Sequence, residues 1–267
     1  MAPELVVIGG GRMGAALVRG LLGAGAAPVS VCFVEASPAR RAELGATFPG
    51  VAVAAEPVDG AGAVLAVKPA DAAAACAALS ATTTPRVLSI VAGVPLGRLE
   101  AWLAPGTAVV RAMPNTPATV GAGVAAVAAG SAAGADDLAW ARGVLEATGQ
   151  VVTLPEAALD AVTGLSGSGP AYVFLVAEAL VAAGVAVGLP PDASRTLALR
   201  TVIGAARLLE ETGASPEDLR AQVTSPGGTT EAGLAVLEER GLRAALAAAV
   251  AAATERSAEL GRSPGPG

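Results

Sequence analysis

The sequence predicts an α/β chain in which a doubly wound, mostly parallel sheet is followed by an all-helical region. Short β-branched runs alternate with helical stretches as far as Leu154, and no convincing strand follows Pro155. A glycine cluster also joins the first strand to the first helix. The domains are therefore expected at residues 1–155 for the sheet and 156–267 for the helices.

In the glycine cluster, the apolar run Val6-Val7-Ile8 meets Gly9, Gly11 and Gly14 at G-x-G-x-x-G spacing, and Ala15–Leu22 continues as a helix. One glycine allows the tight turn, one lets the backbone approach a pyrophosphate, and one lets helix pack on strand. The helix N-terminus then faces the phosphates, which predicts a dinucleotide site. The alternative is a glycine-rich turn that binds nothing.

Val29–Val34 reads as the second strand and ends at Glu35, 21 residues past Gly14. An acidic residue there would hold the ribose hydroxyls of NAD and repel a 2′-phosphate. Arg40 and Arg41 lie close enough in sequence to offset that repulsion, so the choice between NADH and NADPH stays open. Ser37-Pro38 starts a helix through Leu44 in the usual cap-then-proline manner. Val51–Val53 is a short strand. Ala63–Val67 is a buried strand that stops at Lys68-Pro69, and Lys68 is the only lysine in the chain. Ligands bind at the carboxyl ends of strands in open α/β sheets, although a solvated strand-end charge reads equally well there. Val87–Gly93 and Ala108–Met113 are two more strands, the second broken by the stiff turn Pro114-Asn115-Thr116-Pro117. Val124–Val127 and Gln150–Leu154 are read as edge strands around the helix Ala135–Ala147.

The helical region is expected to hold an almost wholly apolar helix at Tyr172–Ala183 and an amphipathic one at Asp192–Glu211. Further helices are expected from the capped start Ser215-Pro216 to Val223, at Thr229–Arg240 and at Leu242–Leu260, before a tail from Ser263. A helix apolar all round must be buried, and a domain of this size has little to bury it with, which predicts a second subunit over it.

Composition narrows the chemistry. Residues 156–267 carry 8 basic and 13 acidic groups, so they hold −5 of the net charge of −6. No basic stripe exists, which argues against a nucleic-acid partner. No uninterrupted apolar run of membrane-spanning length is evident, and no basic stretch precedes the first apolar run, so neither a membrane segment nor a cleaved leader is expected. Cys32 and Cys76 lack metal-type spacing and read as buried thiols of a reducing, cytoplasmic compartment. The chain has no histidine, which removes Ser-His and Cys-His arrangements and most catalytic zinc sites; no metal is expected.

Two glycine-rich loops enter helices in the second half. Leu165-Ser166-Gly167-Ser168-Gly169-Pro170 opens the apolar helix, and Ser225-Pro226-Gly227-Gly228 interrupts the chain before Thr229 or Thr230 can cap the next helix. Exposed N–H groups at that start, with Ser and Thr hydroxyls nearby, suit a small carboxylate. A capped inter-helix turn is the plainer alternative.

The segments Asp160-Ala-Val-Thr-Gly-Leu-Ser-Gly-Ser-Gly-Pro-Ala-Tyr172 and Gln222-Val-Thr-Ser-Pro-Gly-Gly-Thr-Thr230 closely resemble the pyrroline-5-carboxylate reductase family of proline biosynthesis. Ala66–Pro69, Met113–Pro117, Gly184–Pro190 and Ala232–Glu238 extend the likeness over nearly the whole chain. The resemblance implies an N-terminal Rossmann domain and a C-terminal helical domain that interlocks in a homodimer, with a decamer of five dimers as a further assembly. It implies hydride transfer from NADPH or NADH to C5, in proline numbering, of 1-pyrroline-5-carboxylate, giving L-proline. By the resemblance the pyrophosphate turn falls on Ile8, Gly9, Gly11, Arg12 and Met13. The nicotinamide side falls on Ala66, Val67, Lys68, Pro69, Ala92 and Gly93, with Asn115 nearby and Gln222 approaching from the helical domain. The substrate carboxylate falls on Ser225 and the amides of Gly228, Thr229 and Thr230, with Glu156 at the edge of the site and the Thr230 hydroxyl, as the catalytic group, on the ring nitrogen. The loop at Ala55-Glu56-Pro57 departs from the pattern by lacking an asparagine that members often place against the adenosine.

A protonated imine is already electrophilic, so positioning and exclusion of water suffice, and the missing histidine fits this reaction. A β-hydroxy acid dehydrogenase-like enzyme or a deazaflavin-linked NADP reductase would share the glycine turn but not Ser225–Thr230. The former also needs a lysine in the helical half, where none occurs. A non-catalytic nucleotide-binding protein is the other alternative.

Overall fold

The computed structural model describes residues 2–262; the tail read from Ser263 to Gly267 lies outside them. The described chain forms two compact units, one running to Ser168 and taking in residues 251–262, the other Gly169–Val250.

The first unit is built on one eight-stranded sheet in the order β3-β2-β1-β4-β5-β6-β7-β8. The strands are β1 (Leu5–Ile8), β2 (Val31–Val34), β3 (Ala52–Ala54), β4 (Ala63–Leu65), β5 (Arg86–Ser89), β6 (Ala108–Pro114), β7 (Gly123–Ala129) and β8 (Gly149–Thr153). Helices α1 (Arg12–Gly23), α2 (Pro38–Thr47), α3 (Ala72–Leu79), α4 (Leu96–Trp102) and α5 (Ala135–Glu146) alternate with them. Alternate residues of β1 split between two cores. Leu5 and Val7 pack with Leu17, Leu44 and Leu145, whereas Val6 and Ile8 pack with Cys76, Leu79 and Leu99. That two-residue period with both faces apolar is what a doubly wound sheet requires.

Two local expectations are corrected. Pro28–Ser30 is a 3-10 turn and the second strand begins only at Val31, because proline at its first position pre-sets helical φ. β7 is not an edge strand: it pairs antiparallel with β6 and parallel with β8, which alone closes that side. The link from Asn115 to Ala122, largely the 3-10 turn Thr116–Val120, is too short for the crossover a parallel pair would need.

The compact units divide later than the residue-155 boundary read from sequence. The short helix α6 (Leu159–Val162) and the π-helical turn Thr163–Gly167 stay with the sheet. Leu159 is fully buried in the core beside Leu99 and Val109, and the Asp160 carboxylate accepts a 2.7 Å hydrogen bond from Ser257 Oγ.

The second unit contains α7 (Gly169–Ala186), α8 (Pro191–Thr212), α9 (Pro216–Gln222), α10 (Thr229–Glu239) and the first turns of α11 (Leu242–Arg262). Among the described residues no strand follows β8. Ser194 ties α8 to α7 through a 2.7 Å bond from its Oγ to the Val181 carbonyl. The apolar helix is largely uncovered: Phe174 is 61% and Leu175 65% exposed. The helical run Glu156–Ala186 contains an 18-residue window of mean hydropathy 1.7 and is long and apolar enough to cross a membrane by length and composition. Glu178 interrupts the apolar sequence of α7, which is why no uninterrupted run of that length is visible in the sequence.

Both cysteines are buried, Cys76 wholly, and burial pushes the Cys76 thiol up to about 11 and raises Cys32 as well. The thiolate is the reactive form. Iodoacetamide at pH 8 is therefore expected to leave both thiols unmodified in the native protein and to alkylate both in denaturant. Rapid native alkylation, read by mass spectrometry, would contradict this burial.

Candidate active site

At the carboxyl ends of β1 and β4 the chain forms a cavity of about 530 Å³. Ile8, Gly9, Gly11, Glu35, Ala66, Val67 and Lys68 line it, together with Asp71 and Ala74, Ala75 and Ala78 around α3. The sequence offered no sign of α3 in this role, because a run of alanines carries no chemistry of its own. Gly9 adopts φ +103°, and a Cβ there would stand 2.6 Å from the Ala66 carbonyl oxygen. Gly14 lies in the first turn of α1, where a Cβ would collide with the Gly9 carbonyl oxygen. At Gly11 an added Cβ would meet no protein atom within 4 Å. No side chain caps α1, whose N-cap is Gly11. Its first-turn N–H groups, with the positive end of the helix dipole, suit a phosphate.

Glu35 stands at the end of β2 and borders this cavity. Its carboxylate accepts the Gly10 N–H at 3.1 Å and the Ser37 N–H at 3.0 Å. Both nearby arginines are engaged. Arg40 donates from Nε to the Gly10 carbonyl at 2.8 Å and pairs with Glu43 at 2.7 Å. Arg41 Nη1 donates to the carbonyls of Glu35 and Ala36 at 2.9 and 2.8 Å. Neither arginine lines the cavity, while Glu35, Ala36, Ala55 and Pro57 do.

Pro69, Ala92 and Gly93 line a second, largely apolar cavity of about 440 Å³ with Trp102, Ser168 and Leu260. Asn115 lines neither cavity. It is 8% exposed, its Nδ2 donates to the Ser166 carbonyl at 3.2 Å, and its Oδ1 accepts the Val124 N–H at 3.0 Å. The asparagine thus pins the Leu-Ser-Gly-Ser turn to the end of the sheet. Glu156 is likewise engaged, by Arg111 at 2.8 Å and the Leu96 N–H at 2.7 Å. The sequence held one sign of this pair, since Arg111 is the single charge inside the apolar run Ala108–Met113.

In the second unit, Gln222 ends α9, and Ser225 to Gly228 form the turn before α10. Neither Thr229 nor Thr230 is the cap, a correction to the expectation above: Gly228 is the N-cap and both threonines sit in the first helical turn. Gly228 N–H donates to the Ser225 carbonyl at 3.0 Å and Gly227 N–H to Glu231 at 2.6 Å. Those bonds close the turn early enough for the helix to begin at Thr229. The amides of Thr229 and Thr230 belong to the set that a helix leaves without intrahelical partners.

A doubly wound sheet with a glycine turn and a carboxylate opening on a cavity at its strand ends defines a Rossmann-type dinucleotide-linked oxidoreductase with a helical second half. Residues 156–260 match the family described as pyrroline-5-carboxylate reductase dimerisation, and residues 4–93 match that described as NADP oxidoreductase, coenzyme F420-dependent. A pyrroline-5-carboxylate reductase of Synechocystis sp. is 46% identical over 98% of this chain and all of that protein. The solved pyrroline-5-carboxylate reductase of Coxiella burnetii superposes with a TM-score of 0.92 at 35% identity, covering 98% of this chain and 100% of that one. The Plasmodium falciparum pyrroline carboxylate reductase, solved with NADP bound, gives 0.81 at 27% identity over 97% and 98% of the two chains. The chain belongs to the pyrroline-5-carboxylate reductase family. The coenzyme F420-dependent match is confined to residues 4–93, from β1 through β5, and does not reach the helical half.

Proposed function

We propose that the chain reduces 1-pyrroline-5-carboxylate to L-proline with a nicotinamide dinucleotide held in the cleft above Gly9 and Gly11. The observation that carries this is family likeness over the full length, joined to a turn at Ser225–Thr230 that suits a small carboxylate. When bound, the reduced dinucleotide supplies a hydride to the imine carbon. The chain's own part is placement. The first-turn amides of Thr229 and Thr230, with the Ser225 hydroxyl, bind the carboxylate. Gly228 keeps the turn tight, since a Cβ there would collide with Ser225 Oγ. The Thr230 hydroxyl accepts from the protonated ring nitrogen and orients the imine. Ile8, Gly9, Gly11, Arg12, Met13 and Gly14 seat the pyrophosphate; Ala66 to Pro69, Ala92 and Gly93 face the nicotinamide. Asn115 serves by holding the Ser166 turn. Holding the reactants near contact supplies several kcal/mol without an acid–base residue. NADH or NADPH oxidation followed at 340 nm tests this. Turnover is expected with pyrroline-5-carboxylate and not with a 2-oxo acid, and the reverse pattern would assign the chain to another reductase class.

NADH is the better donor on the arrangement around Glu35. A 2′-phosphate carries nearly two negative charges and would meet that carboxylate, with Arg40 and Arg41 already committed elsewhere. The expected preference for NADH is about tenfold or more in kcat/KM, equivalent to about 1.4 kcal/mol. Glu35→Gln removes the charge, keeps one of the two oxygens that accept the Gly10 and Ser37 amides, and should move the ratio toward NADPH. A wild-type preference for NADPH would mean that one of the arginines swings to the phosphate.

Residues 156–267 form the substrate and dimerisation domain on this proposal, supported by the match at 156–260. A second copy, rather than lipid, covers the apolar face of α7 in a homodimer, which can assemble further as a decamer of five dimers. A cytoplasmic setting fits two buried reduced thiols. No nucleic-acid or membrane partner is invoked.

A further inference from the structure

Arg111 stands in the middle of β6 and is 9% exposed. Its Nη1 lies 2.8 Å from Glu156 Oε1. A buried guanidinium needs such a counter-charge, because removing its partner leaves an uncompensated charge. The pair alone does not account for a further feature. The same carboxylate oxygen also accepts the backbone N–H of Leu96 at 2.7 Å.

Leu96 is the first residue of α4 and closes the segment that carries Ala92 and Gly93. At the other end of that segment, Ile90 N–H bonds to the Leu65 carbonyl at 3.0 Å and Val91 N–H to Ser89 Oγ at 3.4 Å. The turn is therefore anchored to the sheet where it leaves β5 and to Glu156 where it enters α4. Between these anchors Ala92 and Gly93 border the apolar cavity. Arg111, one strand over from β5 and paired in register with Ser89, fixes the height of the Glu156 carboxylate above the sheet.

We propose that Glu156 is a positioning residue: locked by Arg111, it holds the Ala92–Pro95 turn where the nicotinamide ring must sit for hydride transfer. This rests on the proposal that Ala92 and Gly93 are the nicotinamide-side turn. It replaces direct contact with substrate as the role of Glu156. A displacement of about 1 Å at a reacting centre can cost on the order of a hundredfold in rate, while the pyrophosphate and adenosine contacts, made elsewhere, stay intact.

Two variants test the proposal, Glu156→Met, which has no acceptor for the Leu96 N–H, and the charge-free Arg111→Met/Glu156→Met. For Glu156→Met, kcat should fall by about ten- to a hundredfold with the KM for NADH within about threefold, and the primary deuterium isotope effect on kcat should rise. The double variant should regain thermal stability lost in the single one, because no buried charge is left unpaired, yet keep the low kcat. If Glu156→Met does not fold, the double variant carries the same kinetic comparison. Three results would overturn the proposal: wild-type kcat and isotope effect in the variants, recovery of kcat together with stability, or a rise confined to the KM for pyrroline-5-carboxylate. Amide exchange gives a readout independent of turnover. NADH should slow exchange in the 91–99 segment of the wild type and not of Glu156→Met, and equal slowing in both would also overturn it. A wild type that ignores pyrroline-5-carboxylate would refute the proposed reaction, and the exchange comparison would still decide the role of Glu156.

Discussion

Gly14→Ala is expected to raise the Kd for NADH by about a hundredfold or more, equivalent to about 2.7 kcal/mol. The added Cβ would collide with the Gly9 carbonyl oxygen. Gly9 has no room to retreat, because its own Cα faces the Ala66 carbonyl and its φ of +103° is one that few other residues adopt. The clash must therefore push α1 away from β1, carrying off the amides that would meet the pyrophosphate. Overpacking of this kind also costs about 1–3 kcal/mol of stability. Two neighbours separate these effects. Gly11→Ala should leave stability near wild type while weakening NADH binding, since its Cβ meets no protein atom and would enter only the space the pyrophosphate needs. Gly23→Ala, in the last turn of the same helix with nothing within 4 Å, should change neither. Titration calorimetry and thermal melts of the three variants check the series, and tight NADH binding by Gly11→Ala would displace the pyrophosphate from this turn.

Thr230→Ala is expected to lower kcat/KM by about ten- to a thousandfold, the range for one positioned hydrogen bond at a reacting centre. Thr230 is the second residue of α10 and half-buried, so its hydroxyl is carried on a helix rather than on the mobile part of a loop. Its backbone amide survives the substitution, and so does the carboxylate contact proposed for it. The loss should then appear mainly in kcat. Thr230→Ser should stay within a few-fold of wild type because it keeps the oxygen. Unchanged steady-state kinetics in the alanine variant would remove Thr230 from the mechanism.

The strand pattern was legible because each strand is a short run carrying valine, and the glycine spacing marked the cavity directly. The antiparallel turn into β7 was not, because period-two apolar runs look alike in either direction. Glu35 could be placed from its spacing after Gly14, but its two amide partners and the engaged arginines are contacts between segments that no local pattern encodes. Asn115 and Glu156 show the same limit. The motif placed both near the chemistry, and the coordinates show their polar atoms spent on Ser166, Val124, Arg111 and Leu96. Arg111 illustrates how such a contact can be suspected beforehand. A lone charge in an apolar strand demands a partner, although nothing in the sequence says which one.

On the proposed reaction this fold passes a hydride to the imine carbon of pyrroline-5-carboxylate. The most direct measurement supplies NADH deuterated at nicotinamide C4, in either stereochemical form, and locates the label in the product by NMR. One form should yield L-proline carrying a single deuterium at C5, and the other unlabelled proline. Oxidation of NADH with no labelled proline from either form would contradict the account.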